Sequence, residues 1–180
     1  MATVKSITTK KGDKGKSRLF SGEEISKNAL RLDAYGDIDE LVSVLGIARY
    51  HAKKEDVKDA LLFIQRALFT VASELATTHE KLSRLPRRVD DGFLLALEER
   101  RESLEAVVKI PDGFVIPGDS LSSTHVDHAR TICRRCERKA VSLFEKKEIQ
   151  NEILLVWFNR LSDYLYLLAR FEEDSPRMVS

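Results

Sequence analysis

Cysteine, proline, tryptophan and long apolar runs are all scarce in this sequence: its 180 residues hold two cysteines, four prolines and one tryptophan. The longest apolar run, residues 153–158, is far too short to span a bilayer, and the opening Met-Ala-Thr-Val-Lys-Ser-Ile lacks the apolar centre of a secretory signal. A soluble, cytoplasmic protein is expected. An excess of one charge is missing too. Lys and Arg number 30 against 29 Asp and Glu, so no global field for nucleic acid or membrane is implied, and any anion site must be local.

Cys133 and Cys136 make one C-x-x-C, a spacing compatible with redox or zinc chemistry. A tetrahedral zinc site needs further ligands, and His125 and His128 lie too close upstream on the same helix to complete it. Both sulfurs fall on an apolar stripe, where free cysteine behaves as a small buried hydrophobe.

What is present is a core-forming helical pattern. The 43% hydrophobic content suits one domain over residues 1–180. Residues 1–35, with Gly12, Gly15 and Gly22 among lysines, read as an extended arm. Residues 36–172 read as a bundle. Ile38, Leu41, Val42, Leu45 and Ala48 mark a first amphipathic helix from Asp37, and Val57, Ala60, Leu61, Ile64, Ala67, Leu68, Val71 and Leu75 a second. Residues 90–109 predict a third, residues from Leu121 a fourth capped by Ser120, Ser122 or Ser123, and residues 148–171 a fifth, with a frayed tail beyond Glu172. Two prolines and two glycines in residues 110–119 predict a structured loop around Phe114. No period-two strand is evident, so the expected fold is all-α, a five-helix antiparallel bundle with an N-terminal arm.

The fourth helix is the most informative element. At about 100° per residue, Arg130, Arg134, Glu137 and Arg138 share one side, while Ala129, Ile132, Cys133, Cys136, Ala140 and Leu143 line another. Such a charged face is ordinarily solvated surface, yet arginines offering planar two-point hydrogen bonds also suit a polyphosphate. In the arm, Thr8 through Arg18 combine cations, hydroxyls and glycines that suit phosphate oxygens, without the spacing of a P-loop. Asp37, Asp39 and Glu40 either complement a helix dipole or, for Asp39, pair with an arginine. Asn159 and Asp163 share a face at i,i+4 that lines a cavity or meets water, and Phe114 is by default a core anchor.

Six segments in this order resemble the PduO-type cobalamin adenosyltransferases: T-K-K-G-D-K-G-K-S from Thr9, S-K-N-A-L-R-L-D-A-Y-G-D-I-D-E-L from Ser26, L-F-T-V-A-S-E-L-A-T from Leu68, F-V-I-P-G from Phe114, A-R-T-I-C-R-R-C-E-R from Ala129 and N-R-L-S-D-Y-L from Asn159. The resemblance implies a homotrimer with ATP at each subunit interface, transferring the 5′-deoxyadenosyl group of ATP to the cobalt of reduced cobalamin and releasing triphosphate. It implies ATP contacts from Thr9, Lys10, Lys11, Gly12, Asp13, Ser17, Arg18 and Lys27 in the arm, and from Arg134, Arg135, Glu137, Arg138 and Asn159 in the helices. Arg134 is the implied cation for the leaving triphosphate, assisted by Mg²⁺ that ATP itself mainly holds. Arg130 is implied to pair with Asp39 of a neighbouring subunit, and Phe114 to occupy the lower face of the corrin. A reductase and a B12-dependent acceptor enzyme are the implied partners, with no nucleic acid and no membrane. The chain departs from the family's common pattern at Thr8, where an aromatic is frequent, and at Asp119, where a second glycine is frequent.

Overall fold

A computed structural model describes Thr8, Lys10, residues 12–173 and residues 177–179. The expected ATP contacts Thr9 and Lys11 lie outside the described residues.

The described chain opens on a hairpin, β1 (Lys16–Arg18) and β2 (Glu24–Ser26), paired antiparallel with Ser17 opposite Ile25. Helices α1 (Leu30–His51), α2 (Glu55–Leu75), α3 (Asp91–Glu105), α4 (Leu121–Glu145) and α5 (Glu152–Glu172) follow, with a 3-10 segment at His79–Arg84. A second antiparallel pair joins β3 (Val115–Ile116) to β4 (Arg177–Met178). Among the described residues, no helix is long and apolar enough to cross a membrane.

α4 packs on α1 and α5, α2 on α1, and α3 on α5. The short connections 52–54 and 146–151 make α1/α2 and α4/α5 antiparallel neighbours. Every residue of the predicted α2 stripe is buried, and Trp157, Phe158, Ile38, Leu41 and Leu45 fill the centre. Side-chain caps set three helix starts. Asp90 accepts from Phe93 N at 2.8 Å, Ser120 from Ser123 N at 3.1 Å and Asn151 from Ile153 N at 3.1 Å, each satisfying an amide that the first turn leaves unpaired.

Several boundaries differ from those predicted. α1 begins at Leu30, not near Asp37; its first turns escape the apolar period because the buried Arg31 occupies a core position there. Its guanidinium donates to the carbonyls of Leu75 (2.6 Å), Thr77 (3.1 Å) and Glu148, filling acceptors at the end of α2 and after α4. Burial lowers its pKa from the ordinary value, and the Glu148 carboxylate at 3.5 Å opposes that shift. The strands were missed because runs of two or three residues carry no readable alternation. α3 stops at Glu105 and α5 starts at Glu152, each about a turn inside its predicted limit. The predicted frayed tail includes β4, which docks on β3.

Candidate functional site

α4 divides as the pattern predicts. Ala129, Ile132, Cys133, Cys136, Ala140 and Leu143 are buried, whereas Arg134 and Arg138 are exposed. Burial raises both thiol pKa values, that of Cys136 to about 12. Both cysteines are free and buried, and the Cys133 thiol donates to the Phe158 carbonyl at 3.6 Å, tying α4 to α5 directly behind the charged face.

On that face Arg138 Nη1 donates to the Arg134 carbonyl at 3.1 Å, keeping the two guanidinium-bearing residues on one side of the helix. Asn159 Nδ2, on α5, donates to Glu137 Oε1 at 3.2 Å, while its own Oδ1 accepts from Arg160 at 2.9 Å. The structure therefore brings Arg134, Glu137, Arg138 and Asn159 together. Asp163 is exposed one turn further along α5.

Arg135 stands elsewhere, because a step of about 100° from Arg134 turns it toward α1. There its Nε donates to Asp37 at 2.9 Å and its Nη2 to Glu40, and the hydrogen bond it gives to Asp37 raises its pKa. Lys139 joins the seam through Asp33 at 2.8 Å and Asp37 at 2.9 Å. Asp37 and Glu40 lie in the middle of α1 and so cap no dipole; they bind α4.

Arg130 is held within its own helix. Its Nε donates to Asp127 Oδ1 at 3.0 Å, and Asp127 Oδ2 accepts from Arg170 at 2.6 Å. Glu173 closes the buried set with bonds of 2.7 and 2.9 Å from Arg170. Burial opposes the charge of Arg170, but hydrogen bonds to Glu173 and Asp127 outweigh it and raise the pKa. Asp39 is exposed on the outer side of α1.

In the arm, Lys27 N donates to the Gly15 carbonyl at 2.9 Å, and Gly15 N to that of Gly12 at 3.3 Å. The Lys27 ammonium packs so closely on Gly12 that a Cβ there would come within 3.0 Å of it. Gly12, Lys27 and the β1 residues Ser17 and Arg18 are thus gathered on one hairpin, with Lys10 and Asp13 exposed before it. The hairpin tip is bound to Thr78 and Lys81, so the arm and the arginine face have separate anchors.

Phe114 is not a core anchor. It is 84% exposed, between Gly113 and β3, and its carbonyl accepts from Val179 N at 2.9 Å. One hollow of about 660 Å³ lies between α2, α3 and α5, and another of about 590 Å³ beside Pro111, Arg170 and Met178. Neither is lined by Arg134, Arg138 or Asn159. Among the described residues, no group of His, Cys, Asp and Glu is arranged to hold a metal ion.

Residues 7–172 match the family model of cobalamin adenosyltransferase. The chain belongs to the cobalamin adenosyltransferase family. It is 36% identical to the corrinoid adenosyltransferase of Citrobacter freundii over 170 residues, covering 94% of this chain and 96% of that protein. The corrinoid adenosyltransferase of Bacillus subtilis is 37% identical over 168 residues, covering 91% and 84%. The corrinoid adenosyltransferase PduO of Salmonella typhimurium is 36% identical over 97% of this chain, which spans about half (52%) of that longer protein. Among solved structures, a phenylalanine-to-alanine variant of the PduO-type ATP:corrinoid adenosyltransferase from Lactobacillus reuteri, complexed with cobalamin and ATP, superposes with a TM-score of 0.85 at 31% identity, covering 97% of this chain and 99% of that one. An arginine-to-lysine variant of the same enzyme complexed with ATP gives 0.84 at 32% identity, covering 97% and 100%.

In this adenosyltransferase the residues that sequence reasoning missed are chiefly second partners. Asp127, three residues before Arg130, was detectable as a local i,i+3 pair; Arg170 and Glu173 were not, since their contact with α4 exists only after α5 has packed.

Proposed function

We propose that this chain transfers the 5′-deoxyadenosyl group of ATP to the cobalt of cob(I)alamin. The cobalt electron pair attacks C5′, a cobalt–carbon bond forms, the C5′–oxygen bond breaks, and triphosphate leaves with that bond's electrons. The observation that carries this reading is the family match over 7–172, joined to the clustering of Arg134, Glu137, Arg138 and Asn159 at the α4/α5 face.

Arg134 is assigned to the leaving group, where negative charge grows as the carbon–oxygen bond breaks and a fixed guanidinium is most effective. Arg138 shares the phosphate load, with Glu137 and Asn159 completing the nucleotide contact. Arg135 is assigned to the α1/α4 seam, since Asp37 and Glu40 take its Nε and Nη2. Lys10, Gly12, Asp13, Ser17, Arg18 and Lys27 present the arm to the triphosphate, along with Thr9 and Lys11. Mg²⁺, when bound, would neutralise phosphate charge, with its ligands supplied mainly by ATP.

A homotrimer unites the two halves, with the arm of one subunit facing the arginine helix of the next. Along the outer side of α1, Asp39, Ser43, Ile47 and Tyr50 recur every three or four residues, and Ile47 and Tyr50 are 45% and 84% exposed, which suits a covered face. Arg130, aimed by Asp127, pairs with Asp39 of the neighbour. Phe114 excludes a lower axial ligand from the corrin, leaving four-coordinate cob(II)alamin that is easier to reduce.

The direct test supplies purified protein with ATP, Mg²⁺ and chemically generated cob(I)alamin under anaerobic conditions. The spectrum should pass to that of adenosylcobalamin with one triphosphate released per turnover; no change with verified cob(I)alamin would refute the reading.

A further inference from the structure

The β1–β2 hairpin carries proposed nucleotide contacts along its strands, but its tip is fastened to a different part of the molecule. Leu19 is buried there, and Gly22, with φ 99°, closes the turn by donating to the Leu19 carbonyl at 2.9 Å. The Glu23 carboxylate receives Lys81 Nζ at 2.5 Å, the Ser21 hydroxyl, and the Thr78 hydroxyl at 3.4 Å. Thr78 N donates back to Ser21 Oγ at 3.3 Å, and Lys81 Nζ also reaches the Ser21 carbonyl at 3.0 Å. Next to this cluster the Thr77 carbonyl accepts from Arg31, in the first turn of the helix into which the arm runs.

The arm is therefore fixed at two points, its tip by the Thr78–Lys81 segment and its exit by Arg31. A two-stranded hairpin is marginal on its own in water, so such fastenings decide its orientation. Hydrogen bonds from Lys81 and Ser21 hold Glu23 at about 2, which keeps it charged throughout the working range. A hollow of about 180 Å³ between Phe20, Thr77, Lys81 and Leu85 leaves room for the hairpin to tilt if the pair is broken.

We propose that Glu23 and Lys81 are positioning residues for the nucleotide: their ion pair sets the angle at which the hairpin presents Gly12, Ser17, Arg18 and Lys27 to the triphosphate. This rests on the reading of the arm as part of an ATP site. Neither residue belongs to the expected nucleotide contacts. The pair is partly exposed and adds little to global stability, so its effect is local.

The test is calorimetric titration of ATP with Mg²⁺ into wild type, Glu23→Gln, Lys81→Met, Lys81→Arg and the Glu23→Gln/Lys81→Met double variant, followed by KM for ATP and for cob(I)alamin. Glu23→Gln and Lys81→Met should each weaken ATP binding about three- to tenfold. KM for cob(I)alamin, kcat at saturating ATP and the unfolding midpoint should stay at wild-type values. Lys81→Arg should restore most of the affinity, and the double variant should bind no worse than the weaker single one. Wild-type ATP affinity in both single variants would overturn the proposal alone, as would equal rises in both KM values. Failure of the wild type to bind ATP would overturn the ATP site itself, and this proposal with it.

Discussion

Asp127 and Arg170 meet at 2.6 Å with only 4% and 2% of their side chains exposed, and the same carboxylate accepts from Arg130 Nε at 3.0 Å. Two charges withdrawn this far from water are tolerated because each is hydrogen-bonded, Arg170 also by Glu173. The pair thus links the packing of α5 onto α4 to the placement of the partly exposed Arg130.

Asp127→Ala should consequently destabilise the protein by about 3–5 kcal/mol, because it leaves a buried guanidinium with one partner fewer. Urea unfolding measures this. Activity at low temperature, where the variant remains folded, should also drop as Arg130 loses its guide. A loss of stability below 1 kcal/mol would mean that Glu173 alone satisfies Arg170.

Arg134→Ala should behave oppositely. The side chain is exposed, so stability should move by no more than about 0.5 kcal/mol, whereas turnover should fall about 10²- to 10³-fold. Near-normal turnover would show that another group takes the charge of the leaving triphosphate. Arg135→Ala should instead lower stability through the loss of Asp37 and Glu40, by about 1 kcal/mol given its partial exposure.

The contrast between these arginines shows how far the sequence could be read. Periodicity separated the core and charged faces of α4, and every predicted apolar position of that helix is buried. It also left Arg135 off the face of Arg130, Arg134, Glu137 and Arg138, but it could not supply that arginine's partners, since Asp37 and Glu40 reach it only once α1 has packed on α4. Arg31 was unreadable for a related reason: a buried cation looks like a helix boundary until the carbonyls of Leu75, Thr77 and Glu148 that it fills are in place. The core default for Phe114 failed because the loop's prolines and glycines direct the ring outward, a consequence of backbone direction that residue type alone does not carry.

That outward ring supports a third expectation. Phe114→Ala should leave stability within about 0.5 kcal/mol, as nothing in the core depends on it. Turnover starting from cob(II)alamin and a reductant should fall much further than turnover starting from cob(I)alamin, because only the former needs the lower axial ligand excluded. Parallel assays from the two oxidation states measure the difference; equal losses would remove the axial role.

The cysteines behind the charged face make stability depend on alkaline pH. Burial raises the Cys136 thiol from 9.0 to about 12, with the charge of Asp37 adding to it, and burial followed by neighbouring Cys136 raises Cys133 well above its ordinary value. In the unfolded chain both thiols lose their protons near 9, while in the folded chain they keep them. Between about 9 and 12 the unfolded state therefore binds fewer protons, and stability must fall as pH rises. Below that window the contribution is fully present. Each thiol adds a slope of up to about 1.4 kcal/mol per pH unit. Denaturant titrations from pH 8 to about 10.5 should show a shallower decline for Cys133→Ala/Cys136→Ala than for wild type, on top of a constant loss from the smaller side chains. The native protein should also resist thiol-specific reagents at pH 8 and react only when unfolded. Identical slopes, or rapid labelling of the folded protein, would mean that the thiols are open to solvent and that α4 is not sealed against α5.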